Sequence, residues 1–173
     1  MNNSEIPEKK YWYALYTKPR AEFVAEQQLN EVGITTYLPT IQRLRKWSDR
    51  KKKIIEPLFR SYIFIYSTEP QRSLACEAEA VVRTIFFGGK PSIIPASQIE
   101  NVKKILSRTN DVNVIEGIVK GTLVKIVDGP FADIEGVVYS QLNDESMLAV
   151  SIELLNRSVI VQLPKNSIVK IAS

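Results

Sequence analysis

Eleven residues, RLRKWSDRKKK at 43–53, hold seven basic side chains and one acid, with Trp47 among them. Cations at this density neutralise phosphates and release the counterions that phosphates carry, and an indole in their midst offers a flat face for a base or a sugar. Arg43, Arg45, Lys46, Arg50, Lys51, Lys52 and Lys53 are therefore candidates for nucleic-acid contact. The competing reading is a solvated charged face.

Catalysis has no comparable foothold. The chain lacks histidine, which removes histidine acid/base work and the usual zinc spacings. Its single cysteine, Cys76, has no intramolecular disulfide partner and, inside LACEAEA, reads as a small apolar helix residue rather than a nucleophile. The glycine-bearing FFGGKPS has Pro91 where a phosphate-binding P-loop needs Ser or Thr, and it lacks the upstream glycine. Glu77 with Glu79, and Asp144 with Glu145, are carboxylate pairs with no partner base or nucleophile in view. No enzymatic activity, metal or cofactor is expected.

The elements that would carry the basic run follow from hydrophobic period. YWYALYT at 11–17 reads as a buried strand halted before Pro19. Ala21, Val24, Ala25, Gln28, Leu29 and Val32 then fall at helical spacing, with Gly33 as the stop. ITTYLPTIQRLRKWS and KKKIIEPLFRSYIFIYS are two long β-prone runs about a polar turn at Ser48 and Asp49, so the basic run is expected at a hairpin tip. QRSLACEAEA reads as a short helix, VVRTIFF as a strand ended by Gly88 and Gly89, and SQIENVKKIL as a helix after Pro95. The order β-α-β-β-α-β-α fits a ferredoxin-like α+β sandwich. SRTNDVNVIEGIVKG reads as a linker, and TLVKIV, IEGVVYSQL, MLAVSIEL, SVIVQL and SIVKI as five short strands of a small closed barrel.

Charge divides the same way. Residues 1–108 carry 18 Lys and Arg against 11 Asp and Glu, whereas residues 109–173 carry 5 against 8, a split between net +7 and net −3. A basic front half suits a polyanion, and the acidic back half suits a different partner. With 45% hydrophobic and 24% charged residues the chain is globular in composition. No run approaches the roughly 20 apolar residues of a membrane helix, and MNNSEIPEKK lacks a secretory apolar stretch, so a cytoplasmic location without membrane contact is expected; a monomer is the expected state.

GTLVKIVDGPFADIEGVV resembles the KOW motif of the NusG family of transcription factors. WYALYTK at 12–18, EPLFRSYIFI at 56–65 and FFGGKPSIIP at 86–95 resemble the NGN domain of the same family. Leu15-Tyr16-Thr17-Lys18, Glu56-Pro57-Leu58-Phe59 and the run ending at Pro95 are closer to the specialised RfaH-like paralogues than to general NusG. The resemblance implies an NGN domain at 1–107, a linker at 108–118 and an SH3-like KOW barrel at 119–173. It implies an antitermination and elongation factor acting at specific operons. General NusG elongation activity, or a ribosome-associated RNA-binding KOW protein, are the alternatives.

The resemblance also assigns roles. Phe59, Tyr62, Phe64 and Phe87 would dock on the clamp helices of the largest subunit of bacterial RNA polymerase, although Tyr62 and Phe64 share strand parity and equally suit the domain's own core. RSY departs from the family's usual proline-containing loop before the tyrosine. Lys18 and Arg20, near the first helix, would read the non-template DNA strand, and Phe23 is a further surface aromatic. Gln28, Glu31, Val32, Ala78 and Glu79 replace polar or basic RfaH positions, so the DNA element that RfaH reads is not the expected target. In the barrel, Phe131, Leu155 and Arg157 match places where relatives meet a small-subunit ribosomal protein or Rho, with Phe131 also suited to plugging the barrel end. Leu155 replaces a common phenylalanine. The β-branched alternation of SVIVQL and SIVKI favours strands over a helical switch.

Overall fold

The computed structural model describes residues 8–141 and 145–172. Asp144 of one carboxylate pair and part of the NDES turn lie outside them. Along the chain run β1 (Tyr11–Thr17), α1 (Glu22–Glu31), β2 (Thr35–Tyr37), β3 (Thr40–Lys46), β4 (Lys51–Pro57), β5 (Tyr62–Ser67), α2 (Glu69–Ala75), β6 (Val81–Thr84), β7 (Phe86–Phe87), β8 (Lys90–Pro91) and β9 (Ile93–Ile94). They are followed by α3 (Ala96–Arg108), β10 (Asn113–Glu116), β11 (Leu123–Asp128), β12 (Glu135–Ser140), β13 (Ser146–Ile152), β14 (Arg157–Gln162) and β15 (Ile168–Ile171). The fold is mixed and mostly strand. It divides into one compact unit running through Leu38 and again over Phe59–Ile94, and a second comprising Pro39–Leu58 and the chain from Pro95 onward.

In the first unit β1 lies within an antiparallel sheet ordered β2-β5-β1-β6, and β9 also pairs with it. Alternation along β1 sends Tyr13 and Leu15 to the same face as Ile65 and Ile63 of β5. There they pack with Ala25 and Leu29 of α1 and Ala75 of α2. Each fully buried Leu or Ile contributes about 1.5–3 kcal/mol. Gly33, at φ +77°, ends α1 as expected, its N–H donating to the Asn30 carbonyl while that of Ile34 donates to the Leu29 carbonyl. A capping box starts α2: Thr68 Oγ1 accepts from the Gln71 amide, and Gln71 Oε1 accepts from the Thr68 amide.

Three sequence expectations need correction here. The apolar stripe of α1 is narrower than its spacing suggests, because Val24 and Val32 are exposed and Glu22 turns inward instead. That carboxylate accepts the Ser61 amide at 2.7 Å, where Ser61 adopts φ +63°. The two long β-prone runs each break in two, between β2 and β3 at Pro39, which has no N–H for a ladder, and between β4 and β5 at the left-handed Ser61. VVRTIFF breaks likewise into β6 and β7, with the Ile85 amide donating to the Ala14 carbonyl.

The second unit holds the isolated β3–β4 pair and a six-stranded antiparallel sheet ordered β10-β14-β13-β12-β11-β15. All five back-half runs form strands. The stretch read as a linker adds β10, which pairs with β14 from Asn113↔Ile160 to Glu116↔Arg157, because the short alternation NVIE fits an open ladder. Ile126, Leu148, Ile152 and Val159 are fully buried. On α3, Ile99, Val102 and Ile105 are buried. Its polar side chains tie it to the β12 end of the sheet: Lys104 Nζ donates to the Asp133 carbonyl at 2.8 Å, and Asn101 Oδ1 accepts the Glu135 amide at 3.3 Å. Among the described residues no helix is long and apolar enough to cross a membrane.

Candidate functional site

The basic run forms a hairpin as its sequence suggests, β3 against β4 in register from Thr40↔Pro57 to Lys46↔Lys51. Trp47 and Arg50 close a two-residue loop, with N–H to carbonyl distances of 2.8 and 3.2 Å. Directly opposed residues share a face. Arg43, Arg45 and Lys52 therefore lie on one side with Glu56, and Leu44, Lys46, Lys51, Lys53 and Ile55 on the other. Glu56 receives Arg43 Nε at 3.0 Å and Arg45 Nη2 at 3.1 Å, and Arg43 also donates to the Val112 carbonyl at 3.3 Å. Arg43 and Arg45 are thus partly committed within the protein. Lys46, Arg50, Lys51, Lys52 and Lys53 are exposed. Lys46 faces Lys51 and Arg45 faces Lys52, like-charge pairs that weaken a ladder until an anion shields them. Trp47, 60% exposed, joins Arg50, Lys51 and Lys52 around a concavity of about 250 Å³.

Lys18 and Arg20 are exposed. Lys18 Nζ lies 3.9 Å from a Glu79 carboxylate oxygen, and Arg20 takes the left-handed φ +62° in the turn before α1. Phe23 is 44% exposed, as its place off the apolar stripe suggests.

The aromatic candidates separate. Tyr62, Phe64 and Tyr66 alternate onto the sheet face away from the α1 core, opposite Tyr16, Ala14 and Trp12. Phe64 is 0% exposed, stacked on Tyr37 at 6.2 Å and met edge-on by Phe59 at 5.8 Å. Phe59 is also buried. The expectation that Phe59 and Phe64 offer contact surface is therefore corrected: their rings fill each other's surroundings and leave almost nothing to a partner. Tyr62 is half-buried, edge-on to Tyr16 at 5.5 Å.

Phe87 is the opposite case at 83% exposed. It pairs with Lys90 at the end of the β7–β8 hairpin, whose loop residues Gly88 and Gly89 take φ +58° and +76°, the mirror-image turn that suits strand twist. Behind it, the Arg72 guanidinium lies 5.9 Å from the Phe86 ring centre. Arg72 also grips Glu69 through two bonds of 2.8 and 2.6 Å and donates to Thr84 Oγ1 at 2.7 Å. Cys76, half-buried, lies 3.2 Å from the same hydroxyl.

In the second unit Phe131 and Leu155 are each 6% exposed, so neither ring nor aliphatic side chain lies open at the surface, and Phe131 is buried as the plug alternative expects. Leu155 ends a 3-10 turn whose cap, Asn156, is left-handed, and it is the buried residue of that turn. Arg157 pairs with Glu116 at 3.0 Å and donates to the Asn156 carbonyl at 3.1 Å. Among the described residues no group of three or more His, Cys, Asp or Glu side chains could hold a metal.

A family described as "Transcription termination factor nusG" matches residues 10–103, more than half of the chain. The chain belongs to the NusG family. The "Transcription termination/antitermination protein NusG" of Buchnera aphidicola is 25% identical to it over 177 residues, covering 90% of this chain and 93% of the relative. That of Thermus thermophilus is 25% identical over 179 residues, covering 92% and 97%. The solved structure described as "Domain interaction in Thermotoga maritima NusG" is similar at 23% identity and a TM-score of 0.47, covering 90% of this chain and 93% of the other.

Sequence reasoning missed two residues that shape this NusG-family surface. Arg72 left only its i,i+3 spacing from Glu69 as a clue, and nothing local to the sequence placed Thr84 or Phe86 beside it. Glu56 stood in a family motif, but its grip on Arg43 and Arg45 needed the hairpin register.

Proposed function

We propose that this NusG-family protein is an antitermination and elongation factor of the RfaH-like kind. It docks on the clamp helices of the largest RNA polymerase subunit and raises processivity at particular operons. In this reading residues 1–107 act as the NGN domain, 108–118 join the two parts, and 119–173 act as an SH3-like KOW domain that meets a ribosomal protein or Rho.

The observation that carries the docking is Phe87. A ring 83% exposed on a two-glycine hairpin forgoes about 1.5–3 kcal/mol of burial, which a partner groove would recover. Tyr62, half-buried, supplies a second contact. Lys18, Arg20 and the exposed hairpin cations hold the phosphates of nucleic acid beside the polymerase, including the non-template DNA strand.

The test is capture from extract on the full chain, with transcript profiles in cells that have and lack the protein. Polymerase subunits should be retained, and the distal ends of one or a few long operons should fall when the protein is absent. Retention of ribosomal particles alone would overturn polymerase docking, and a uniform effect on all genes would overturn the specialised role.

A further inference from the structure

We infer that Trp47 with Arg50, Lys51 and Lys52 forms a seat for one unpaired nucleotide, so that the hairpin tip takes single-stranded rather than duplex nucleic acid. This rests on the reading that the hairpin contacts nucleic acid and adds the strand state to it.

Three observations support the seat. The ring is 60% exposed, yet its backbone is fixed by paired hydrogen bonds with Arg50, so a base stacking on it does not first have to order the loop. The concavity of about 250 Å³ is lined by this one aromatic and three cations, the combination of base face and phosphate charge that a nucleotide presents; Asp49, the acid at the tip, does not line it. Glu56 holds Arg43 and Arg45, which leaves the cations around the loop, Lys46, Arg50, Lys51 and Lys52, as the charge not taken up by that carboxylate.

Strand state follows from geometry. Within a duplex both faces of a base are covered by its neighbours, so an indole gains a stacking partner only from an unpaired base. A merely cationic tip would favour the duplex, whose charge density is higher. Unpaired DNA and unpaired RNA share the recognised chemistry.

The experiment uses the full chain with oligo(dT), oligo(U) and duplex DNA of equal length, at several salt concentrations. Trp12 is 9% exposed, so quenching of tryptophan fluorescence by the oligomers reports Trp47. Expected are quenching by one or both single strands, tighter binding of that strand than of the duplex, and roughly a ten-fold loss in Trp47→Ala that Trp47→Phe largely restores. The salt slope should be unchanged in Trp47→Ala, because the phosphate contacts remain. Equal affinity for Trp47→Ala, or preference for the duplex, overturns the seat while leaving hairpin contact intact. If a Lys51→Gln, Lys52→Gln, Lys53→Gln variant binds every probe as the wild type does, hairpin contact and the seat fall together.

Discussion

Arg72 donates a 2.7 Å hydrogen bond to Thr84 from a side chain that is only 10% exposed. With its two bonds to Glu69 and its approach to the Phe86 ring, the guanidinium ties α2 to the end of β6 and the start of β7. Arg72→Ala should cost about 2 kcal/mol in urea unfolding, the size expected for losing charge-assisted bonds from a buried site. Arg72→Lys should recover only part, since an ammonium cannot reproduce the fork.

The same pair sets an acid dependence. Hydrogen bonding from Arg72 holds the Glu69 carboxyl below its ordinary 4.5, partial burial opposes this, and the guanidinium's charge adds to the lowering. A carboxyl lowered on folding stabilises the protein fully above its ordinary value, and that contribution fades as pH falls through the folded value. Unfolding free energies measured between about pH 6 and pH 3 should therefore decline more steeply for the wild type than for Glu69→Gln. The difference should be small, since Glu69 is 59% exposed and solvent screens it.

Glu56→Gln should release Arg43 and Arg45 toward phosphate. Single-stranded DNA binding should tighten, and its log–log salt slope should become more negative by about 0.7 for each cation engaged. Stability should change by less than about 1 kcal/mol, because these pairs are partly solvated. An unchanged slope would mean that the two arginines never reach the polyanion.

Phe64 and Phe87 should respond in opposite ways. Phe64→Ala removes a ring at 0% exposure and should cost about 3–5 kcal/mol of stability. Phe87→Ala should stay within about 0.5 kcal/mol, since that ring is 83% exposed. Denaturant midpoints of the two variants decide this.

Period and turn chemistry made much of this fold legible. Tyr13 and Leu15 alternating in β1, the Gly33 stop and the polar turn beside Trp47 each marked an element that the structure contains. Pro39 and Ser61 hid their effect, because a β-prone composition runs unbroken through both while the backbone turns. Among the site residues, the hairpin cations were readable as a charge run. Phe59, Phe64, Phe131 and Leu155 were not, because an aromatic or aliphatic residue on a strand looks the same whether its face is covered or open. Arg72 depended on Thr84 and Phe86 from separate elements as well as on Glu69 of its own helix, and no local pattern encodes the first two.

In the proposed role the exposed Phe87 ring of the first unit grips the polymerase. Titration of purified bacterial RNA polymerase with the full-length wild type, Phe87→Ala and Tyr62→Ala tests it most directly. Affinity should fall at least about 30-fold for Phe87→Ala, as for a residue worth 2 kcal/mol or more at an interface, with thermal stability unchanged. Wild-type affinity in a folded Phe87→Ala protein would mean that this ring does not grip the polymerase.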